Sequence, residues 1–478
     1  MPLSPLLPAL PDVVALSSRA DDAPDALEEG RLSRAFVSDV AAALISGDED
    51  GVRALVSPLH PADVADLFGA IDADARAMLA GALGELLNAD VVAELDDYVR
   101  EDVLGALSPV EVAEVLTQLD TDDAVAVIED LEADEQREVL DALTPEDRAD
   151  IEAALNYPEE SAGRLMQREL VAVTENMSVG AVIDRIRASI DPATDFWEIF
   201  VVDIAGRPTG TMRLSWLLTA PPELSVGDVM KREQTLIPVT MDQEEVALLF
   251  QKYALISAAV VDEAGKLVGV ITVDDVVHII QAEAGEDVLK LSGAGDGDIN
   301  EPVLTTYRTR SRWLVANLVT GIVSASVIGA FSASIEALVA LAALSPIVAS
   351  VGGNAGNQTM AVTVRALATN QLTDSNTRRT IWREIRVALL NGLTLAVLMG
   401  LGVALVFGNA ALGLVIAAAM QFNILIAGLA GVMVPLTLER LEADPAVASS
   451  VFVTMITDSM GFFAFLGLAT LVGVQYLG

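Results

Sequence analysis

The sequence predicts a multi-domain protein in which an acidic soluble region, first α-helical and then mixed α and β, precedes a transmembrane domain with five helices. The charge distribution carries this prediction. Residues 309–478 hold 8 arginines, no lysine and 7 acidic residues, a net charge of +1. Residues 1–308 therefore hold 20 basic and 62 acidic residues, a net charge of −42, while the long hydrophobic runs lie after them. Charge and hydropathy thus occupy different parts of the chain, as in a soluble region joined to a membrane domain.

The composition excludes several classes of function. The large negative surplus would repel a phosphate backbone, so nucleic acid is not an expected partner. The absence of cysteine removes disulfides and thiolate metal sites. Only two histidines occur, His60 and His278, and the sequence has no glycine-rich phosphate loop or metalloprotease spacing. An enzyme is therefore not expected.

The first part of the soluble region is predicted to be a tail followed by a helical N domain. Residues 1–31 are rich in proline and lack the basic start of a signal peptide, which predicts a disordered tail. Residues 32–158 show apolar residues at three- and four-residue spacing, with helix starts at residues 57–63, 108–111 and 144–147. Each start places a Ser, Thr or His before a proline and acids, which favours a stack of short capped helices with a superhelical winding.

The pattern changes in residues 159–280 to two successive β-α-β-β-α units. The predicted elements are strands at Leu170–Val173, Ile199–Asp203 and Gly210–Arg213 around a helix at Ser178–Ser189, then Leu236–Val239, a helix at Gln243–Tyr253, strands at Ala258–Asp262 and Leu267–Thr272, and a helix from Val273. Their order resembles tandem CBS (α+β) domains. Residues 269–275 of the second unit are similar to the nucleotide signature of that family, which implies ATP or another adenine nucleotide bound through Thr272 and Asp275. The alternative is that the acids only cap the helix.

The helix from Val273 is predicted to continue out of the second unit as a connecting helix. Glycines and aspartates between residues 293 and 298 then interrupt the helical pattern, so residues 281–308 form a connecting helix and linker. Five hydrophobic runs of membrane-spanning length follow. They are approximately Trp313–Ile335, Ala337–Val364, Val387–Phe407, Ala410–Leu438 and Val447–Leu477.

Arginines predict the orientation of these spans. They lie before the first span, between the second and third, and between the fourth and fifth, while the opposite loops have none. The positive-inside rule then places the N-terminus in the cytoplasm and the C-terminus outside, in a multi-pass protein of the plasma (inner) membrane.

One acidic residue, Asp458, lies near the middle of the fifth span. An ionised aspartate there costs on the order of 3 kcal/mol, so it marks an ion or proton path by default. The alternative is a structural aspartate hydrogen-bonded to Thr454, Thr457 or a neighbouring helix. The other acids of residues 309–478, among them Glu384 and Asp374, are expected in loops or at span ends.

The second span combines glycines with amides between residues 352 and 359. Asn354 and Asn357 bring polar groups to membrane depth, which a water-filled cavity tolerates and lipid does not. Close helix packing through small residues is the alternative. Gln421 and Asn423 in the fourth span are weaker candidates of the same kind.

The chain resembles the MgtE family of magnesium channels and transporters in the order of its domains and in three short segments. These segments are residues 352–358, residues 444–446 and Thr457–Asp458. The resemblance implies a homodimer whose pore lies on the two-fold axis, lined by the second and fifth spans. Asp458 of each subunit then faces the ion, with Asn354, Asn357 and Thr454 lining the path and Asp444 at the cytoplasmic mouth.

The chemistry of Mg²⁺ agrees with this assignment. Mg²⁺ keeps several waters and is held through one or two carboxylates, and a single aspartate per chain becomes a pair in a dimer. The absence of an energy-coupling motif predicts passive uptake. The family resemblance also implies that cytoplasmic Mg²⁺ bound to the acidic domains closes the pore. The candidate regulatory ligands are Asp96, Asp97, Asp242, Asp274, Asp275, Glu283, Glu286 and Asp287.

His278 and Gln281 stand where relatives commonly carry carboxylates, which implies fewer or weaker regulatory sites.

Two other functions stay open. One is a proton-coupled divalent metal transporter or exporter in which Asp458 titrates. The other is a membrane-anchored Mg²⁺ or nucleotide sensor, which predicts no ion flux.

Overall fold

The computed structural model describes residues 26–28, 30–189, 196–293, 300–373, 375–441 and 443–473. The chain divides into two compact units, Met1–Ile280 and Gln281–Gly478. The predicted disordered tail of residues 1–31 falls largely outside the described residues. Its last part differs from the prediction, because Leu27–Glu28 (β1) pairs antiparallel with Arg31–Leu32 (β2).

Ten helices follow in the described part of the N domain. They are α1 Arg34–Ser46, α2 Glu49–Val56, α3 Pro61–Ala70, α4 Ala73–Leu83, α5 Ala89–Ala93, α6 Asp97–Leu104, α7 Pro109–Leu116, α8 Thr121–Glu129, α9 Ala133–Ala142 and α10 Pro145–Leu155. The three predicted starts are confirmed. His60, Ser108 and Thr144 each accept a backbone N–H in the first turn of a helix that begins with proline. One apolar core runs through the whole stack, from Phe36 to Ala154.

The two β-α-β-β-α units are present as predicted, with small shifts at the ends of elements. The first contains β3 Ala172–Thr174, α11 Val179–Ser189, β4 Glu198–Val202, β5 Pro208–Arg213 and α12 Leu214–Thr219, followed by a short helix α13 Val226–Val229. The second contains β6 Leu236–Pro238, α14 Gln243–Tyr253, β7 Ser257–Val261, β8 Leu267–Thr272 and α15 Val273–Ser292. In each three-stranded sheet the middle strand pairs parallel to the first and antiparallel to the third.

Long helices form the membrane domain. They are α16 Val303–Ala330, α18 Ala340–Ala368, α19 Thr377–Phe407, α20 Ala410–Arg440 and α21 Pro445–Val472, with a short helix α17 Ser332–Ala337 after the first. Among the described helices four are long and apolar enough to cross a membrane, namely α16, α19, α20 and α21. The 29-residue helix α18 is long enough to span, but its serines, asparagines and glutamine lower its mean hydropathy.

Burial is uneven among the membrane helices. Half of the most apolar stretch of α20 is buried in the subunit, against 6% of that of α16. Six of the fifteen buried residues of α20 are glycine or alanine, among them Ala419, Ala427, Gly428 and Gly431. Small side chains allow neighbouring backbones to approach closely, so α20 is the central helix of the domain.

Candidate ion path and metal-binding sites

Asp458 lies at the middle of α21, between Pro445 and Val472. It is partly buried. In the described part of the chain its carboxylate accepts no hydrogen bond and pairs with no cation. The hydroxyl of Thr457 donates instead to the carbonyl oxygen of Thr454, 3.1 Å away. The described residues of the subunit therefore do not provide the hydrogen bonds that a structural aspartate would use.

Helix α18 packs against α21 at the level of Asp458. A Cβ atom added to Gly353 would lie 3.9 Å from the Thr457 hydroxyl oxygen, and one added to Gly356 would lie 2.7 Å from Val453. Asn354, between these glycines, is exposed on the subunit. Asn357 is partly buried, and its Oδ1 atom has no hydrogen-bond partner among the described residues. The glycine-rich segment of α18 therefore packs closely against α21, and it also carries the side-chain amides of Asn354 and Asn357.

Asn423 has a structural position between three membrane helices. It is completely buried, and its Nδ2 donates to the Val348 carbonyl oxygen at 2.9 Å. Gly352 on α18 and Gly461 on α21 leave the space that this side chain fills, because an added Cβ atom would lie 2.0 and 2.7 Å from Nδ2. Part of the glycine pattern therefore serves packing around Asn423.

A cavity of about 210 Å³ lies between α18, α19 and α20, away from Asp458. Its polar lining includes Gln358, Thr359, Arg383, Glu384 and Asn391. The Glu384 carboxylate is buried in α19 and accepts a 2.6 Å hydrogen bond from Arg383. Of these polar groups, the sequence had singled out only Gln358 and Thr359, within the segment of residues 352–359, and it had placed Glu384 outside the third span. The other acid named there with it, Asp374, lies outside the described residues.

Asp444 caps the start of α21 and also contacts the connecting helix. Its Oδ1 accepts the backbone N–H of Ala446 at 2.7 Å, and its Oδ2 lies 3.1 Å from Lys290 Nζ on α15. Glu286 pairs with the same lysine at 2.5 Å. Burial, followed by the charge of Asp444, raises the pKa of Asp287. The structure thus brings three predicted acids together around a lysine.

In the compact unit Met1–Ile280, the acids at the start of α15 lie close to acids at the start of α8. Asp275 accepts hydrogen bonds from Thr272 Oγ1 at 2.7 Å and Gln167 Nε2 at 3.2 Å. Burial is the main cause that raises the pKa of Asp275 to about 6. Burial, with the charges of Asp275 and Asp123, also raises the pKa of Asp122 well above its usual range.

Two members of this acidic contact, Asp122 and Asp123, were missed from the sequence. The Oδ1 atom of Asp122 is buried and has no hydrogen-bond partner among the described residues. Burial raises the pKa of Asp123, to which Glu94 and Asp274 add repulsion. The only local signal was a pair of acids in a first helical turn, and that pattern occurs throughout this chain.

Three other predicted regulatory acids have local roles here. Asp97 lies 3.6 Å from Arg100, which pairs more closely with Asp130 at 2.9 Å. Asp96 and Asp242 are the N-cap residues of α6 and α14. Glu283 lies partly buried on α15. In the described structure Asp122 and Asp123 are the N-domain acids that interact with Asp274 and Asp275 at the start of α15.

Within the described ranges no three carboxylate or histidine side chains are close enough to hold a metal ion by themselves. A hydrated Mg²⁺ needs only one or two carboxylates, so the pairs described above have the right composition for one.

The predicted nucleotide site is narrow. A cleft of about 10 Å³ is lined by residues that include Thr272, Trp197, Glu198 and Ser257. Asp275 is not in this lining, since its carboxylate binds the Thr272 hydroxyl and contributes to the acidic contact with α8.

The acidic contact predicts a pH dependence. An unfolded aspartate has its ordinary pKa of 3.8, and that of folded Asp275 is about 6. Folded Asp275 therefore binds more protons than the unfolded residue in this window, so the stability that it contributes falls as pH rises from about 4 to about 6, by at most about 3 kcal/mol. The raised pKa values of Asp122 and Asp123 act in the same direction. Without divalent ions, we expect the protein to resist limited proteolysis better at about pH 5 than at about pH 7.5. Asp275→Asn should reduce the difference and leave the part that comes from Asp122 and Asp123, and an unchanged difference would contradict the assignment.

Comparisons with known proteins agree with this architecture. Sequence profiles match residues 345–468 to MgtE, described as a divalent cation transporter, residues 59–160 to the MgtE intracellular N domain, and residues 226–282 to a CBS domain. The chain is 38% identical over 328 residues to the magnesium transporter MgtE of Thermus thermophilus, covering 68% of this chain and 73% of that one. The chain belongs to the MgtE family. The family predicted from the sequence is thereby confirmed.

Other MgtE proteins are similar over the same extent. The magnesium transporter MgtE of Bacillus subtilis is 31% identical over 323 residues, covering 67% of this chain and 71% of that one. A crystal structure of the cytosolic domain of the Mg²⁺ channel MgtE in complex with ATP is 33% identical, with a TM-score of 0.47, and covers 51% of this chain and 99% of that one. The family-model matches confirm the predicted MgtE architecture of a helical N domain, a CBS region and a membrane domain.

Proposed function

We propose that this MgtE family member is not an enzyme but a Mg²⁺-selective channel or transporter that mediates passive uptake. The observation that carries the proposal is Asp458, a partly buried carboxylate at the middle of a membrane helix that has no partner among the described residues of its own subunit. A lone charge at that depth is unfavourable unless water or a cation compensates it. A permeating divalent ion supplies that compensation.

The proposed pore lies on the two-fold axis of a homodimer, where α18 and α21 of each subunit meet. Asp458 from the two subunits then forms a pair of carboxylates, which repel each other when the pore is empty and together bind one hydrated Mg²⁺. Asn354, Asn357 and Thr454 are proposed to bind the ion's water shell. The close approach of Gly356 on α18 to Val453 and Thr457 on α21 supports this arrangement, because Thr457 is the residue before the aspartate.

The membrane potential supplies the driving force in this proposal. With the N-terminus and the acidic region in the cytoplasm, an inside-negative potential of about 100 mV favours entry of a divalent cation by about 4.6 kcal/mol. No coupling to protons is needed.

We also propose the domain limits given by the sequence: an N domain at 32–158, a CBS pair at 159–280, a connecting segment at 281–308 and the membrane domain from 309.

Flux into proteoliposomes tests this function. We expect Mg²⁺ entry that follows an imposed inside-negative potential and is unchanged when the proton gradient is collapsed by an ionophore. Flux that stops with the proton gradient would favour the proton-coupled transporter, and the absence of flux would favour the sensor. Empty liposomes and liposomes with heat-denatured protein are the controls.

We further propose that cytoplasmic Mg²⁺ closes the pore by binding between acidic surfaces. The contact that supports this is the one between Asp122, Asp123, Asp274 and Asp275, where burial and mutual repulsion raise the pKa of three carboxyls. A divalent cation at this contact would replace repulsion with attraction. Acidic adaptation to high salt would place carboxylates on solvated surfaces, so it does not account for carboxylates that are buried against each other.

Mg²⁺ should therefore protect the acidic region from limited proteolysis at neutral pH. Asp122→Asn removes one buried charge, so we expect this variant to be protected already at low Mg²⁺ and to gain less from added Mg²⁺. Asp63→Asn, in the first turn of α3, is a matched change outside the contact. Cleavage that does not depend on Mg²⁺ in the unmutated chain would contradict regulation through this contact.

The second β-α-β-β-α unit is the proposed site for an adenine nucleotide such as ATP. Thr272 lines the cleft and is available to a ribose hydroxyl, whereas Asp275 would have to exchange its hydrogen bond with Thr272 for one with the ligand.

A further inference from the structure

Lys290 lies near the end of α15 and is the only lysine between residue 281 and the C-terminus. Its ammonium group lies 2.5 Å from Glu286 Oε1 and 3.1 Å from Asp444 Oδ2. Its side chain is 33% exposed and that of Asp444 38%, so the pair is partly withdrawn from solvent. One cation therefore joins an acid of its own helix to an acid at the start of α21.

Asp444 is well placed to transmit this contact. One of its oxygens accepts the backbone N–H of Ala446 in the first turn of α21, and the other binds the lysine. The carboxylate is thus fixed by its own helix and by α15 at the same time. Helix α21 also carries Asp458, 14 residues further on, or about 21 Å along a straight helix.

Apolar contacts support the same end of α15. Leu291, the residue after the lysine, packs against a buried cluster of Met360 and Val364 from α18 with Ala446 and Val453 from α21. Both helices proposed to line the pore are therefore in contact with the last turn of α15. The apolar packing places this turn, and the ion pair selects its position relative to Asp444.

The charge of Lys290 is needed at this position. Glu286, Asp287 and Asp444 would otherwise bring three negative charges together, and the repulsion between Asp287 and Asp444 already contributes to the raised pKa of Asp287. Burial opposes the charge of Lys290, but hydrogen bonds to Glu286 and Asp444 raise its pKa overall. The lysine is therefore a permanent cation near neutral pH and cannot dissociate as a metal ion does.

We propose that Lys290 is a tethered cation that fastens the end of α15 to Asp444 and thereby positions α21. This contact between α15 and α21 then persists without bound metal. The proposal rests on closure by cytoplasmic Mg²⁺, which is part of the proposed function. Metal binding elsewhere then adds to a contact that is already partly neutralised. The role of the lysine is to lower the Mg²⁺ concentration needed for closure.

The test is a double-mutant cycle with Lys290→Gln and Asp444→Asn, in which asparagine keeps the N-cap acceptor of α21. In proteoliposomes, Lys290→Gln should raise the Mg²⁺ concentration for half-maximal closure by about threefold to tenfold, with the maximal flux unchanged. Adding Asp444→Asn to Lys290→Gln should change it little further. An unchanged closure curve, or fully additive effects of the two changes, would overturn the proposal. Lys266→Gln, on an exposed turn of the soluble region, is the control.

A second measurement does not depend on flux. Hydrogen–deuterium exchange of the peptide covering residues 281–293, in the full-length protein in Mg²⁺-free buffer, should be several-fold faster in Lys290→Gln than in the unmutated chain. Equal exchange would overturn the proposal even if gating is observed. Faster exchange in a chain whose flux does not respond to Mg²⁺ would support the tether while contradicting the proposed gating.

Discussion

Asp458→Asn is expected to reduce Mg²⁺ flux by at least about tenfold, which corresponds to about 1.4 kcal/mol or more in the barrier. Asparagine has nearly the same shape, so the change removes charge and little else. In the proposed dimer both carboxylates disappear from one ion site. The remaining amides can still contact water, but they no longer attract a divalent cation strongly enough to replace part of its hydration.

The same substitution should leave the fold intact and raise its stability. Asp458 has no hydrogen bond or ion pair within the described residues, so its neutralisation removes an unfavourable charge on the order of 3 kcal/mol at membrane depth. We expect the melting temperature of the detergent-solubilised protein to stay level or rise. Glu336→Gln, in the short helix α17, is a matched acid-to-amide control that should preserve flux. A variant that retains full flux would exclude Asp458 from the ion path, and one that loses stability would show that Asp458 is structural.

Gly352→Ala is expected to destabilise the membrane domain by about 1–3 kcal/mol, the usual cost of overpacking. The added methyl group would lie 2.0 Å from Nδ2 of Asn423 and 2.8 Å from its Cγ. Asn423 cannot move away easily, because it is completely buried and donates a hydrogen bond to the Val348 carbonyl oxygen. We expect a fall in melting temperature of about 4–10 °C.

Two variants make this second test specific. Gly402→Ala, on α19, adds a methyl group where nothing lies within 4 Å, and should be neutral or slightly stabilising because alanine favours helix. Asn423→Ala combined with Gly352→Ala provides space for the methyl group, so the double variant should recover part of the lost stability. If Gly352→Ala melts at the same temperature as the unmutated protein, α18 and α20 move apart more readily than this packing indicates.

Local patterns account for most of what was predicted correctly. The caps at Ser108 and Thr144 and the strand and helix order of the two β-α-β-β-α units follow from interactions between residues close in sequence. The position of Asp458 at the middle of α21 follows from the length of a hydrophobic run. The helix that contains the first predicted span begins before Trp313, because α16 starts at Val303 and continues through the arginines before the apolar run.

The sequence by itself determined the separation of an acidic soluble region from a membrane domain, the order of the elements and the aspartate in the last helix, since each depends on composition or short-range periodicity. Only the tertiary structure decided which charges meet. It brought Asp122 to Asp275, Lys290 to Asp444, and Asn423 into the space left by two glycines of other helices. The reason is physical: most of the 62 acidic residues before position 309 satisfy the same local rules, and a carboxylate becomes special only when packing withdraws it from water beside another charge.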